Sequence, residues 1–243
     1  MTLFWLILWA LLARLADREL LLPGPIAVLR RLASLLVTAS FWRTVGVTLL
    51  RILCGAVLGT VLGVLAAVLT WRNQLLRSLL SPLLGIVKST PVASFILLLL
   101  IWLGRDILPS VIVALMVLPV TWANVEAGLR GVDPLLLEMA RVFRFPPLRS
   151  LRRVWLPSLL PSFLAACRST LGLAWKAGVA AEVLTVPIRS IGKMLYESRL
   201  NLETTDLFAW TVVVILCSIA IEKLLTALLS RLPGQERGEE VRP

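Results

Sequence analysis

Long apolar runs separated by short polar breaks decide the architecture of this chain before any motif is read. A helix needs about 20 apolar residues to cross the hydrocarbon core of a bilayer. Gly46 to Trp71, Leu83 to Leu103, Ile107 to Asn124, Ser158 to Leu184 and Leu207 to Leu229 each come near that length. Leu3 to Leu15 is a shorter sixth run; it lacks the basic start and the clear small-residue cleavage site of a signal peptide, so it reads as a retained helix. Because lipid offers no hydrogen-bond partner, backbone at that depth must satisfy itself, and runs of this length do so as helices. With 58% hydrophobic residues, 16% charged residues and a mean hydropathy of +0.91 over 243 residues, the chain lies outside the range of soluble domains. The expected fold is all-α: a polytopic helical membrane protein of about six transmembrane helices, forming one domain over residues 1–243. No internal repeat and no second soluble domain is visible.

Charge narrows the function classes. A net charge of +11 would point to nucleic acid in a soluble protein. Here the cations flank apolar runs, where they meet lipid headgroups and orient the chain, so membrane lipid is the expected partner and nucleic acid is not. The positive-inside rule favours both termini on the cytoplasmic side by a thin margin only, because several cations between Arg14 and Arg43 would then lie outside. There is no histidine, no clustered carboxylate pair within a segment and no metal-ligand spacing, which disfavours an enzyme or a metal site. Lys88-Ser89 lacks the preceding glycines of a phosphate loop, so the chain is expected to bind no nucleotide or other cofactor itself. Cys54, Cys167 and Cys217 sit in apolar runs and read as reduced packing residues.

An ionisable residue inside an apolar run costs at least about 2.5 kcal/mol on insertion scales, and four such residues stand out. They are Lys88, Arg168, Lys176 and Glu182. Arg168 and Lys176 are eight residues apart, about 80° around a helix, so they share one broad side. Pro91 breaks the backbone near Lys88, and irregular backbone at membrane depth is tolerated where it is buried in protein or lines a cavity. A translocation path attractive to anions, lined or bordered by Lys88, Arg168 and Lys176, is one reading. Snorkelling of Arg168 and pairing of Lys176 with Glu182 is the other. Most of the nine tryptophans fall near run ends, as an interfacial belt would; Trp175, beside Lys176, is the exception, with packing and a path-facing role both open. Gly55, Gly59 and Gly63 repeat every fourth residue and mark a helix-packing seam, within the chain or between copies. Ile26, Leu29, Leu32 and Leu36 have helical spacing after two prolines, as in a helix lying flat on the membrane surface.

The longest polar interruption, Glu126 to Pro157, is rich in arginine. Asp133 can cap free amides, and Pro134 is tolerated in a first helical turn. A short helix is expected from there until Pro146-Pro147 stops it. Leu135, Leu136, Met139, Ala140 and Phe143 repeat on one face, while Glu138, Arg141 and Arg144 point elsewhere. Such a helix is too short to span a bilayer and too apolar to be left in water, so it calls for a partner.

These residues resemble the EAA loop of permease subunits in binding-protein-dependent ABC importers. Glu138 and Ala140 match the start of the motif, a glutamate and two small residues, with Met139 a mild departure where alanine is usual, and Val154-Trp155-Leu156-Pro157 matches its close. Arg144 stands where a glycine is usual, which leaves the backbone course after the helix open. The resemblance covers nearly the whole chain, and the layout is most similar to the nitrate, sulfonate and taurine branch. It implies a type I-like importer fold, placement in the inner membrane, and a second permease copy. It also implies an extracytoplasmic solute-binding protein and a separate ATPase that uses the ATP. The loop would be cytoplasmic and grip that ATPase through Asp133, Pro134, Leu137, Glu138, Met139, Ala140, Arg141, Phe143 and Arg144, with Leu156 and Pro157 closing it. The path would involve Lys88, Arg168, Trp175, Lys176 and Glu182 and carry a small anionic solute. A stand-alone channel or secondary transporter remains the alternative on composition alone.

Overall fold

A computed structural model describes residues 2–16 and 21–229. Within them every regular element is helical. In chain order these are α1 (Thr2–Ala16), α2 (Pro25–Leu36), α3 (Ala39–Arg72), α4 (Gln74–Ser89), α5 (Val92–Leu99), α6 (Leu108–Arg130), α7 (Pro134–Val142) and α8 (Pro147–Ser150). A π-helical turn (Leu151–Trp155) leads into α9 (Leu156–Thr185), followed by α10 (Ile191–Leu200) and α11 (Thr204–Leu229).

Helices α3, α6 and α9 form the centre, and the glycine repeat explains why they approach so closely. A Cβ on Gly55 would lie 2.4 Å from the carbonyl oxygen of Ser110, one on Gly59 2.6 Å from that of Ala114, and one on Gly63 2.7 Å from Cβ of Thr121. The repeat is thus the intramolecular seam between α3 and α6, which removes the inter-copy reading. Gly178 of α9 makes the same allowance for Ile52 of α3. Around this triple, α10, α11 and α2 pack on one side through Leu32, Phe41, Trp175, Ile191 and Trp210. On the other side Ile96 of α5 meets Leu108, Ile112, Ala177 and Ala181.

Many large hydrophobics are exposed on the outside, Leu50, Val57, Leu65, Ile215 and Leu224 among them. A surface of this kind is solvated by lipid, not water. Three helices, α3, α6 and α11, are long and apolar enough to cross a membrane. The expected run Leu83–Leu103 is not one straight span: α4 and α5 meet at a 103° bend across Thr90-Pro91, and together would make a fourth. Pro91 has no amide to continue the ladder and disfavours helical backbone at Thr90, which is extended (ψ 134°). At 30 residues α9 is long enough, but Arg168, Lys176 and Glu182 dilute its apolarity, and α1 has only 15 residues. By length and apolarity the count therefore falls short of the six expected.

Helix α2 is not a free surface helix. Val28 and Leu32 are buried, Leu35 packs against the core, and Arg31 makes a two-pronged ion pair with Asp206 at the start of α11 (2.5 and 2.6 Å). Ile26, Leu29 and Leu36 form its outward apolar side.

Candidate functional site

The Glu126–Pro157 stretch folds back on itself. Asp133 caps α7 as expected: its carboxylate accepts from the Leu135 amide at 2.8 Å, with Pro134 in the first turn. The far end is where Arg144 replaces glycine, and Arg144 adopts the glycine-like backbone, with φ +48°. Its amide donates to the Arg141 carbonyl and that of Phe145 to the Ala140 carbonyl, both at 2.9 Å. This is a Schellman motif. The backbone course survives the substitution at the cost of a left-handed non-glycine residue, about 1–2 kcal/mol.

That closure splits the apolar residues of α7 into two sets. Ala140 is buried and Leu137 half-buried, packed with Phe145 against Val132 and Val154, so this set holds the helix to its own loop. Leu135 (71% exposed), Met139, Val142 and Phe143 (69% exposed) face outward with Leu136 among the described residues. Ala140, grouped from spacing with the outward face, belongs instead to the inward one. Glu138, Arg141 and Arg144 are exposed beside the outward set, as are Leu156 and Pro157 where α9 begins.

Two buried carboxylates tie this region and the helices together. Glu126, near the end of α6, is almost fully buried and receives Arg77 of α4 (2.9 Å) and Arg130 one turn on (3.1 Å) at the same oxygen, Oε1. Glu182 of α9 is fully buried. Its Oε1 takes Nη1 of Arg51 at 2.6 Å, and its Oε2 accepts from the Thr48 hydroxyl at 2.9 Å and the Gly192 amide at 3.3 Å. Thr48 in turn accepts from the Ile191 amide (3.0 Å), while Arg51 Nε donates to the Asp106 carbonyl (3.0 Å). Asp106 accepts the Ile188 amide at 2.8 Å. A Cβ on Gly192 would lie 2.4 Å from Glu182, so only glycine fits there. One carboxylate thus joins α3, α9, α10 and the segment before α6.

The structure separates the residues expected along a path. Glu182 pairs with Arg51, not with Lys176, and is enclosed. Trp175 is buried between α9 and α11, donating Nε1–H to the Val214 carbonyl at 3.2 Å, so it is a core residue. Lys88, Arg168 and Lys176 are exposed. Lys88 and Lys176 make no ion pair among the described residues. On α9 the exposed side runs Ala165, Arg168, Ser169, Gly172, Lys176, Ala180: small residues and two cations. Val87, next to Lys88, and Ala177, next to Lys176, pack in one cluster, so both cations border the contact between the bent pair and α9.

Sequence reasoning passed over Arg51, Glu126 and Arg77. Arg51 was findable: it lies in an apolar run, as Glu182 does, with the opposite sign. The three cysteines are free thiols, but Cys54 is exposed on α3 and not a packing residue.

Comparison with known proteins agrees with these features. Residues 59–232 match the family described as "Binding-protein-dependent transport system inner membrane component". The chain is 28% identical over 193 residues to a Bacillus subtilis (strain 168) permease named for aliphatic sulfonate transport, SsuC, covering 79% of this chain and 70% of that one. It is 25% identical over 220 residues to the taurine transport system permease TauC of Escherichia coli (strain K12), covering 88% and 79%. In fold it is similar to a chain of the MetNI methionine ABC transporter in an inward-facing conformation, with a TM-score of 0.61 at 20% identity over 78% of this chain and 92% of that one. The match spans well over half of the sequence and takes in the seam from Gly59 onward, the capped loop and both buried carboxylates. The chain belongs to the inner-membrane permease subunits of binding-protein-dependent ABC importers.

Proposed function

We propose that this chain is one of two identical halves of a pathway for a small anionic solute, and that α7 couples the pathway to a separate ATPase subunit that consumes the ATP. An extracytoplasmic binding protein delivers the solute. The α7 loop and both termini lie on the cytoplasmic side, and residues 1–243 act as one permease domain. The observation that carries the reading is the division of α7. Leu137 and Ala140 fasten it to its own loop, while Leu135, Met139, Val142 and Phe143 stand uncovered around Glu138 and Arg141. A helix held rigidly with a bare apolar side is suited to a groove on a partner. Its support runs through Val154 and the π-turn directly into α9, so displacement of α7 moves the helix that bears Arg168 and Lys176. A partner that binds two packings unequally shifts the population between them.

The anion preference rests on the exposed cations Lys88, Arg168 and Lys176, and on the relatives named for sulfonates and taurine, whose acid group is charged at neutral pH. A bilayer gives no reason to leave Lys176 facing lipid, so its side of α9 faces the second copy or the path. The test is co-purification. Met139→Glu with Phe143→Glu should leave the permease inserted and stable but strip it of the ATPase subunit. Retention of a stoichiometric ATPase and of uptake by that variant would overturn the coupling role.

A further inference from the structure

We propose that Arg149, Arg152 and Arg153 form a headgroup site for an anionic phospholipid of the leaflet on the α7 side. The three arginines, with Pro146 and Leu148, line an open cleft of about 460 Å³ between α8 and the π-turn. All three are exposed, and among the described residues no carboxylate pairs with any of them. The guanidinium carbon of Arg149 lies 5.9 Å from the centre of the Phe145 ring. Three cations within five residues repel one another, and that repulsion falls when an anion sits among them.

Two further observations select a lipid. Trp155 meets Trp71 edge-on at 4.9 Å, and Trp122 packs in the same cluster. Three tryptophans from α3, α6 and the π-turn at one level mark the membrane–water interface, which puts Arg152 and Arg153 at headgroup height. Leu148, Leu151 and Leu156 are exposed among the same residues. Arginines for a phosphate next to leucines for an acyl chain match both parts of a phospholipid. This site stands whether or not α7 grips an ATPase.

The experiment uses the full chain purified with its partner subunits and exchanged into nanodiscs of phosphatidylcholine alone or mixed with phosphatidylglycerol, with bound lipid read by native mass spectrometry after release. Wild type should retain phosphatidylglycerol in preference to phosphatidylcholine, and less so as salt rises. Replacing all three arginines by glutamine should cut that preference by roughly a hundredfold, at about a factor of five per cation, whereas replacing all three by lysine should keep most of it. Equal retention of the two lipids by wild type would overturn the proposal. So would unchanged preference in the glutamine variant, or displacement of the lipid by inorganic phosphate alone, which would make this a free-anion site. Loss of the ATPase subunit from the glutamine variant with its lipid preference intact would assign the cleft to a protein partner instead. Should the glutamine variant fail to fold, the lysine variant and the salt dependence of wild type still decide the matter.

Discussion

Nη1 of Arg51 lies 2.6 Å from Oε1 of Glu182, a carboxylate with no exposed surface, and this pair joins two helices of the central triple. Oε2 is occupied as well, by Thr48 and by the Gly192 amide, so the negative charge is fully solvated by the protein. A buried ion pair of this kind adds little over an apolar pair of equal volume, but removing one partner leaves the other charge stranded. Arg51→Met or Glu182→Leu alone should therefore lower stability by about 3–5 kcal/mol, and the two together should recover much of it. Thermal or denaturant unfolding of the purified permease in detergent measures the cycle; additive losses would show that the pair does not act as a unit.

The seam between α3 and α6 predicts a contrast between two glycines. Gly59→Leu drives a side chain into the Ala114 carbonyl and should cost about 1–3 kcal/mol or prevent assembly. Gly46→Ala, where a Cβ meets nothing within 4 Å, should be neutral or slightly stabilising in the same unfolding assay.

Arg144 holds a left-handed backbone to close α7. Arg144→Gly relieves that strain and should slow hydrogen exchange of the Phe145 amide, the donor that closes the motif, by roughly five- to tenfold, equivalent to about 1 kcal/mol. Faster exchange in the variant would mean that the arginine side chain contributes more than its backbone costs.

Lys176 is an exposed cation on a helix side that it shares with Arg168 and small residues. Lys176→Met should leave expression and subunit assembly unchanged while reducing uptake of an anionic solute severalfold in proteoliposomes. An unchanged uptake rate would make Lys176 a purely structural residue.

What the sequence made legible was local or periodic. The cap at Asp133-Pro134 and the glycine seam each rest on a few neighbouring residues and take the expected form, whereas α7 ends at Val142 through the turn at Arg144, before the prolines expected to stop it. Long-range partners were not legible. Nothing near Glu182 in the chain announces Arg51, which is 131 positions away, and Glu126 looks like an ordinary loop acid until Arg77 reaches it from the foot of α4. The inward position of Ala140 failed to emerge because spacing defines a helix face but not which neighbour covers it, whereas the packing reading of Trp175 is the one its buried place in the core supports. The broken run at Thr90-Pro91 was half visible: the proline signals an interruption, but not a turn of 103°.

The π-turn at Leu151–Trp155 has one further consequence. The Leu156 amide reaches back five residues to the Leu151 carbonyl, and Pro157 offers no amide to the Arg153 carbonyl, so the ladder is loose where the loop enters α9. Tightening that coil by a single residue would swing everything beyond it through about 100°. On the proposed coupling role of α7, this π-turn is where a shift of one residue in the coil would rotate the rod bearing Lys176 relative to the short helix before it.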